Sequence, residues 1–185
     1  GPYSPTTCDG TQYQIRNQQD LSAEIRLASA DDGPLTWQLG AYFLKIDREV
    51  GVSIGADLGL GVIPSLYNPP ESDNPTSLLL ADQFDTNVYA AFGSFEYEVS
   101  PQFTAGVALR YDIEDRTTQS LVPTADDPFT GGPINPGQAF GALAPQDATF
   151  KQLQPKVSLS YQPTPDLNIY ANWGIGFKSG GFSLL

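Results

Sequence analysis

Histidine and methionine are absent from this chain of 185 residues, and cysteine occurs once, at Cys8. Without histidine the chain lacks the commonest transition-metal ligand and the usual general base near neutral pH. A lone cysteine cannot close a disulfide within the chain, so Cys8 either pairs with a cysteine in flanking sequence or is a free thiol. A zinc site or a nucleophilic triad has almost no residues to draw on, and we predict no enzyme activity, no cofactor and no metal site.

Long apolar runs and basic residues are scarce as well. No segment approaches the roughly 18 uninterrupted apolar residues that a membrane-spanning helix needs, which excludes a helical membrane protein. The 9 Lys and Arg stand against 21 Asp and Glu, and the resulting net charge of -12 argues against nucleic acid as a partner. The chain begins without methionine or a visible secretion signal, as we expect of a processed, truncated or partly observed chain.

The strongest signal that is present is period-two alternation, which recurs in about six segments. Between Gln102 and Arg116 the odd-numbered positions are mostly apolar and the even-numbered positions are mostly small or charged. No α-helix sorts residues in this way, because its period is 3.6 residues. The same sorting occurs at 13–27, 35–43, 89–99, 153–161 and 167–178. We therefore predict six strands.

The connections between these strands alternate in length. The three predicted hairpins, closed by short turns of Gly, Pro and Asp, cover about 12–50, 84–120 and 149–178. The two long connecting loops cover about 51–83 and 117–148. Short turns at one end and long extracellular loops at the other are typical of outer-membrane barrels. The predicted fold is all-β, an antiparallel up-and-down transmembrane β-barrel, to which this chain contributes about six strands and flanking sequence the rest.

The two faces of the predicted strands differ in charge. One face is almost free of charge, as lipid requires, since Lys or Arg at mid-depth on a lipid face costs about 2–4 kcal/mol. The other face should line a wet lumen and carries Glu24, Arg26, Glu96, Glu98, Arg110, Asp112 and Glu114. Close carboxylates can perform acid–base catalysis, but on a barrel wall we expect ion pairs or contacts to a plug domain. The aromatic residues expected at the periplasmic edge of the membrane, next to the short turns, are Trp37, Tyr97, Phe103 and Tyr161.

Several of these segments resemble the barrel of TonB-dependent receptors from Gram-negative bacteria. The resembling stretches are 21–29 with 37–43, 89–93 with 105–111, and 155–161 with 169–182. The last stretch, IYANWGIGFKSGGF, is the most specific, and the resemblance covers most strands and neither long loop. The chain thus resembles the C-terminal barrel portion of the family, without its plug domain or energy-coupling box.

The resemblance implies an outer-membrane receptor that imports a scarce nutrient, such as a ferric siderophore, through a plugged barrel of about 22 strands. The implied partners are outer-membrane lipid, the plug domain and the remaining strands, the TonB complex acting through the N-terminal region, and a small-molecule or metal-chelate substrate. Two other functions stay open: a passive porin-type channel, and a non-membrane β-sandwich that serves in binding or adhesion.

Substrate contacts are expected from the long loops and from the polar tops of the strands. Loops carry recognition because a rigid wall positions them. The predicted substrate-binding residues are Lys45, Arg48, Tyr67, Asn68, Arg116 and Lys178.

Overall fold

The computed structural model describes residues 12–30, 33–55, 63, 65–135 and 143–181. These residues form one open sheet in which six antiparallel strands are hydrogen-bonded in chain order. The strands are β1 (Gln12–Ala28), β2 (Leu35–Gly55), β3 (Thr76–Ser100), β4 (Phe103–Ser120), β5 (Gln146–Thr164) and β6 (Leu167–Gly174). The predicted antiparallel all-β fold is confirmed, whereas Cys8 and Phe182, the last residue of the resembling stretch, lie outside the described residues.

The sheet is a single layer in the described part of the chain. A β-sandwich needs a second sheet packed about 10 Å away, face to face. All six strands belong to one sheet with neighbours in chain order. The β-sandwich alternative is therefore wrong for these residues.

Strands β2 and β3 run further than the predicted hairpins. Residues 51–55 and 76–83, expected in a loop, pair with each other as far as Gly55 and Thr76. Their alternation is hidden because the chain segments around Leu66 and Ile134 cover the end of this strand pair. Leu79, on the covered side, is only 1% exposed and forms a small core with Ala81 and Ile134. With these strand bounds, the two long connections between strands are 56–75 and 121–145.

Strand β6 ends earlier than predicted, at Gly174 rather than near 178. Ile175 still donates its N–H to the carbonyl of Pro155 on β5, at 3.0 Å. The reciprocal bond of such a pair would come from the N–H of residue 155, which proline lacks. The ladder loses a bond at this point, and residues 175–181 continue as irregular chain.

Candidate functional site

The strand register assembles the predicted polar residues on one face of the sheet. Glu24 lies opposite Tyr42, Tyr42 opposite Ala90, and Ala90 opposite Asp112. Because side chains alternate between faces, the whole even-numbered set shares this face. All seven residues predicted to be lumen-facing belong to it, and we call it the polar face. Six of the nine basic residues lie here: Arg16, Arg26, Arg48, Arg110, Arg116 and Lys156.

Ion pairs on the polar face follow one pattern, an arginine beside a carboxylate two residues away on the same strand. Arg110 contacts Asp112 at 2.7 Å, and Arg26 with Glu24 and Arg116 with Glu114 form the equivalent pairs. Asp112 and Glu114 are only 5% and 8% exposed. Losing one partner of such a buried pair leaves an uncompensated charge, which is strongly destabilising. The carboxylates of Asp112 and Glu114 therefore belong to the wall and are not free to bind a ligand.

An aromatic ring joins two of these arginines at mid-height of the sheet. The guanidinium carbons of Arg26 and Arg110 lie 5.7 and 5.9 Å from the centre of the Phe92 ring, within cation–π range. Phe92 reaches this position because its register neighbour is Gly40, where a Cβ atom would lie 2.3 Å from the ring. The sequence does not mark Phe92 as a functional residue, because its contacts with Gly40, Arg26 and Arg110 follow only from the pairing of the strands.

A cavity of about 430 Å³ lies on the polar face at the end of the sheet furthest from the short turns. It brings together two of the predicted substrate-binding residues. Arg48 and Arg116 both line it, with Phe84, Thr86 and Gly181 among the other lining residues. Among the described residues, no acidic side chain lines this cavity. Arg48 forms no ion pair with another described residue, so its charge is available to a ligand. The cavity combines cationic donors, a hydroxyl and an aromatic surface.

The segment after β6 closes one side of this cavity. The Arg116 Nη1 atom donates to the Gly180 carbonyl and its Nη2 atom to the Ser179 hydroxyl, both at 2.7 Å. Lys178, a predicted substrate-binding residue, is exposed on the same segment and precedes these contacts. The alternation predicts that residue 178 ends a strand, whereas it lies on a chain segment held across the polar face.

Lys45 lies on the opposite face from Arg48. Its register partners are Leu21 and Asn87, which belong to the odd-numbered set, and its ammonium group contacts Asp47 at 3.0 Å. Three positions along a strand always separate two residues onto opposite faces. Lys45 therefore cannot line the same cavity as Arg48.

Tyr67 and Asn68 lie away from the polar face too. Tyr67 packs against the small core around Leu79, on the odd-numbered side of the sheet. Asn68 is 4% exposed, and its backbone exchanges hydrogen bonds with Thr76: its N–H donates to Oγ1 at 2.9 Å, and its carbonyl accepts at 3.1 Å. These two residues hold residues 65–75 against the sheet rather than facing the cavity.

The odd-numbered face carries a broad band of exposed apolar side chains, and we call it the apolar face. Trp173 is 60% exposed and Val107 53%. Along β4 the band runs from Phe103 to Ile113 without a charge and stops at Asp115. Ten residues at about 3.3 Å each, tilted by about 40°, span about 25 Å, the height of the apolar band on outer-membrane barrels. The four aromatic residues predicted at the periplasmic edge of the membrane, Trp37, Tyr97, Phe103 and Tyr161, all lie on this face.

Among the described residues, no helix is long and apolar enough to span a membrane. In the same part of the chain, no group of three or more His, Cys, Asp or Glu side chains could hold a metal ion.

One layer of long antiparallel strands, charged on one face and apolar and exposed on the other, defines a wall segment of a membrane β-barrel. The family model described as TonB dependent receptor-like, beta-barrel matches residues 2–185, and the chain belongs to this family. The predicted resemblance is confirmed. Members of this family are outer-membrane receptors.

Two solved structures share this fold. The ferric yersiniabactin uptake receptor FyuA from Yersinia pestis matches with a TM-score of 0.59 and 15% identity, over 89% of this chain and 22% of that one. The ferric-catecholate import receptor Fiu from E. coli K12 matches with a TM-score of 0.56 and 12% identity, over 87% of this chain and 26% of that one. This chain thus spans about a quarter of either receptor. No curated protein sequence matches it.

Proposed function

We propose that this chain is part of the barrel wall of an outer-membrane receptor that takes up a scarce small molecule, such as a ferric siderophore, with energy delivered by the TonB complex. The observation that carries the proposal is the contrast between the two faces of one sheet. The apolar face offers lipid an uncharged band about 25 Å high. The polar face, with its pairs of arginine and carboxylate side chains, suits a wet lumen. Nothing in this arrangement favours catalysis.

The two levels of the polar face have different proposed roles. At mid-height, Arg26 and Arg110 on either side of Phe92 would contact a plug domain. Higher up, the cavity beside Arg48 and Arg116 would contact the substrate, with Lys178 at its edge. The connections 56–75 and 121–145 would lie outside the cell.

Uptake of iron chelates under iron limitation tests this function. We expect cells that lack the receptor gene to lose uptake of at least one chelate, and cells that lack TonB to lose it equally. A passive channel would instead keep its uptake without TonB and after collapse of the proton gradient. That result would replace the receptor with the porin-type alternative.

Arg48→Gln tests the proposed substrate site. A hydrogen bond to a charged group contributes about 1.5–3 kcal/mol, so we expect affinity for the chelate to fall roughly 10- to 100-fold. Lys45→Gln is the matched control, since it removes a cation three residues away on the opposite face and should leave affinity unchanged. Equal effects of both substitutions would rule out a cavity-specific role for Arg48.

A further inference from the structure

The glycine-rich run that follows β6 has contacts that its sequence did not reveal. Residues 177–181, which we call the strap, pair with no described strand, yet they lie against the polar face at Arg116. The Ser179 hydroxyl also donates to Glu114 Oε1, at 3.2 Å. The strap is thus attached through two side chains of β4 rather than through a backbone ladder.

Gly180 fits the strap to its neighbour Phe150. A Cβ atom at 180 would lie 3.0 Å from the edge of the Phe150 ring, tighter than side chains normally pack. The Arg116 guanidinium lies 6.0 Å from the centre of the same ring. Arg116, Glu114, Ser179, Gly180 and Phe150 therefore form one contact network, in which Arg116 is the central member.

Arg116 also lines the cavity, so the strap and a ligand would share one guanidinium. Its Nε atom donates to the Glu114 carboxylate, and its other two nitrogens donate to neutral acceptors of the strap, a carbonyl and a hydroxyl. A hydrogen bond to an anion is roughly twice as strong as one to a neutral acceptor. Because Gly181 lines the same cavity, an anion large enough to reach both Arg48 and Arg116 meets the strap.

We propose that Arg116 holds the strap across the edge of the cavity through its two hydrogen bonds, a contact that we call the clip. An anionic group bound between Arg48 and Arg116 releases the strap. This inference rests on the proposed function, because it assigns the substrate an anionic group and makes the strap a movable wall of its site. Arg116 acts here as a positioning residue for the strap.

A nitroxide spin label at Lys178→Cys, which is exposed and lies beside the clip, reports the mobility of the strap. The full receptor would be used in detergent, with its other cysteines replaced by serine. We expect Arg116→Gln to shorten the rotational correlation time of the label at least threefold. Arg16→Gln, which removes the same type of side chain from the polar face on β1, should leave it unchanged. An immobile label in the Arg116→Gln receptor would show that Arg116 does not hold the strap.

Sodium citrate serves as the anionic probe, compared with sodium chloride at equal ionic strength. We expect citrate to mobilise the label as strongly as Arg116→Gln does, and Arg48→Gln to abolish the effect of citrate. No response to citrate, or an equal response to chloride, would overturn release by an anion. The label needs no transport, so these outcomes are independent of the uptake experiments.

Gly180→Ala keeps the clip testable if Arg116→Gln fails to assemble. The added methyl meets the Phe150 ring, so the label should become mobile, and Phe150→Leu in the same receptor should restore part of its immobility. Gly176→Ala is the control, because nothing lies within 4 Å of a Cβ atom there. Equal mobility in the Gly180→Ala and Gly176→Ala receptors would contradict the contact network.

Discussion

Gly40 leaves room for the ring of Phe92, which lies between Arg26 and Arg110. An alanine there would place its methyl 2.3 Å from the ring and 2.9 Å from the Ile25 carbonyl oxygen. We expect Gly40→Ala to lower the free energy of unfolding by about 1–3 kcal/mol, the usual cost of overpacking. Urea unfolding in micelles would measure it. Gly33→Ala, with no atom within 4 Å of the new Cβ, should change stability little, and equal losses would contradict the packing account.

Asp127 holds the turn of the second long connection by side-chain hydrogen bonds. It is 5% exposed, and its carboxylate accepts from the Phe129 N–H at 3.0 Å and from the Thr130 hydroxyl at 2.5 Å. Burial acts to raise the pKa of Asp127, but hydrogen bonds from Thr130, Phe129 and Ser77 outweigh it and lower the pKa below its ordinary value. A depressed pKa means that the charged carboxylate stabilises the folded turn above the ordinary carboxyl pKa.

Asp127→Asn should therefore loosen residues 121–135 at neutral pH, since it removes the charge that these donors stabilise. When chymotrypsin is added to intact cells, it should cleave the receptor after Phe129 several times faster. The wild-type turn should keep its protection down to about pH 4 and lose it only as pH falls through the depressed pKa. Asp126→Asn, one residue earlier and exposed, is the control. Equal cleavage of both variants would refute the role of Asp127.

Residue roles were harder to predict than residue positions. The seven charged residues assigned to one face do share it, because strict alternation fixes the face of every residue in a paired strand. Lys45 was grouped with Arg48 by charge and by nearness in sequence, although three positions separate the two onto opposite faces. Asn68 was assigned to recognition because it lies in a long loop, and its burial depends on Thr76, which sequence alone could not pair with it.

At the scale of the element, Pro155 decides where β6 ends. Pro155→Val supplies the missing N–H, which can donate to the Ile175 carbonyl and complete the pair. We expect one additional slowly exchanging amide at position 155 and a gain of about 0.5–1.5 kcal/mol in stability. Hydrogen exchange measured by mass spectrometry on the 149–181 region would detect it. An amide at 155 that exchanges as fast as those of the strap would show that something other than proline ends the strand.

Strand existence and order were predictable, but strand length was not. Alternation marks strands wherever one face is covered differently from the other. It fades at 76–83, where the apolar face turns inward against Leu66 and Ile134 and both faces become partly buried. Contacts between distant loops therefore hid the outer third of β3 from sequence analysis.

At the scale of the whole molecule, the lipid-facing role of the apolar face can be tested on neighbouring residues of β5. Val157 lies in the middle of the apolar band, and Ser158 lies on the polar face opposite Gly106. Val157→Lys should cost about 2–4 kcal/mol in a bilayer, as a cation on the lipid face does. Ser158→Lys should cost much less, because Glu96, paired with Gly106 in the register, is within reach. Equal costs would contradict the assignment of the faces.

As a wall segment of a large outer-membrane barrel, this chain should behave as part of a heat-modifiable protein. Electrophoresis of an outer-membrane extract, with and without prior heating, tests it most directly. Intact barrels resist unfolding by detergent and migrate differently until they are heated. We predict a polypeptide several times larger than 19.9 kDa whose mobility shifts on heating, since the chain spans only 22% and 26% of the two matching receptors. A native product of 19.9 kDa with no heat shift would contradict the account.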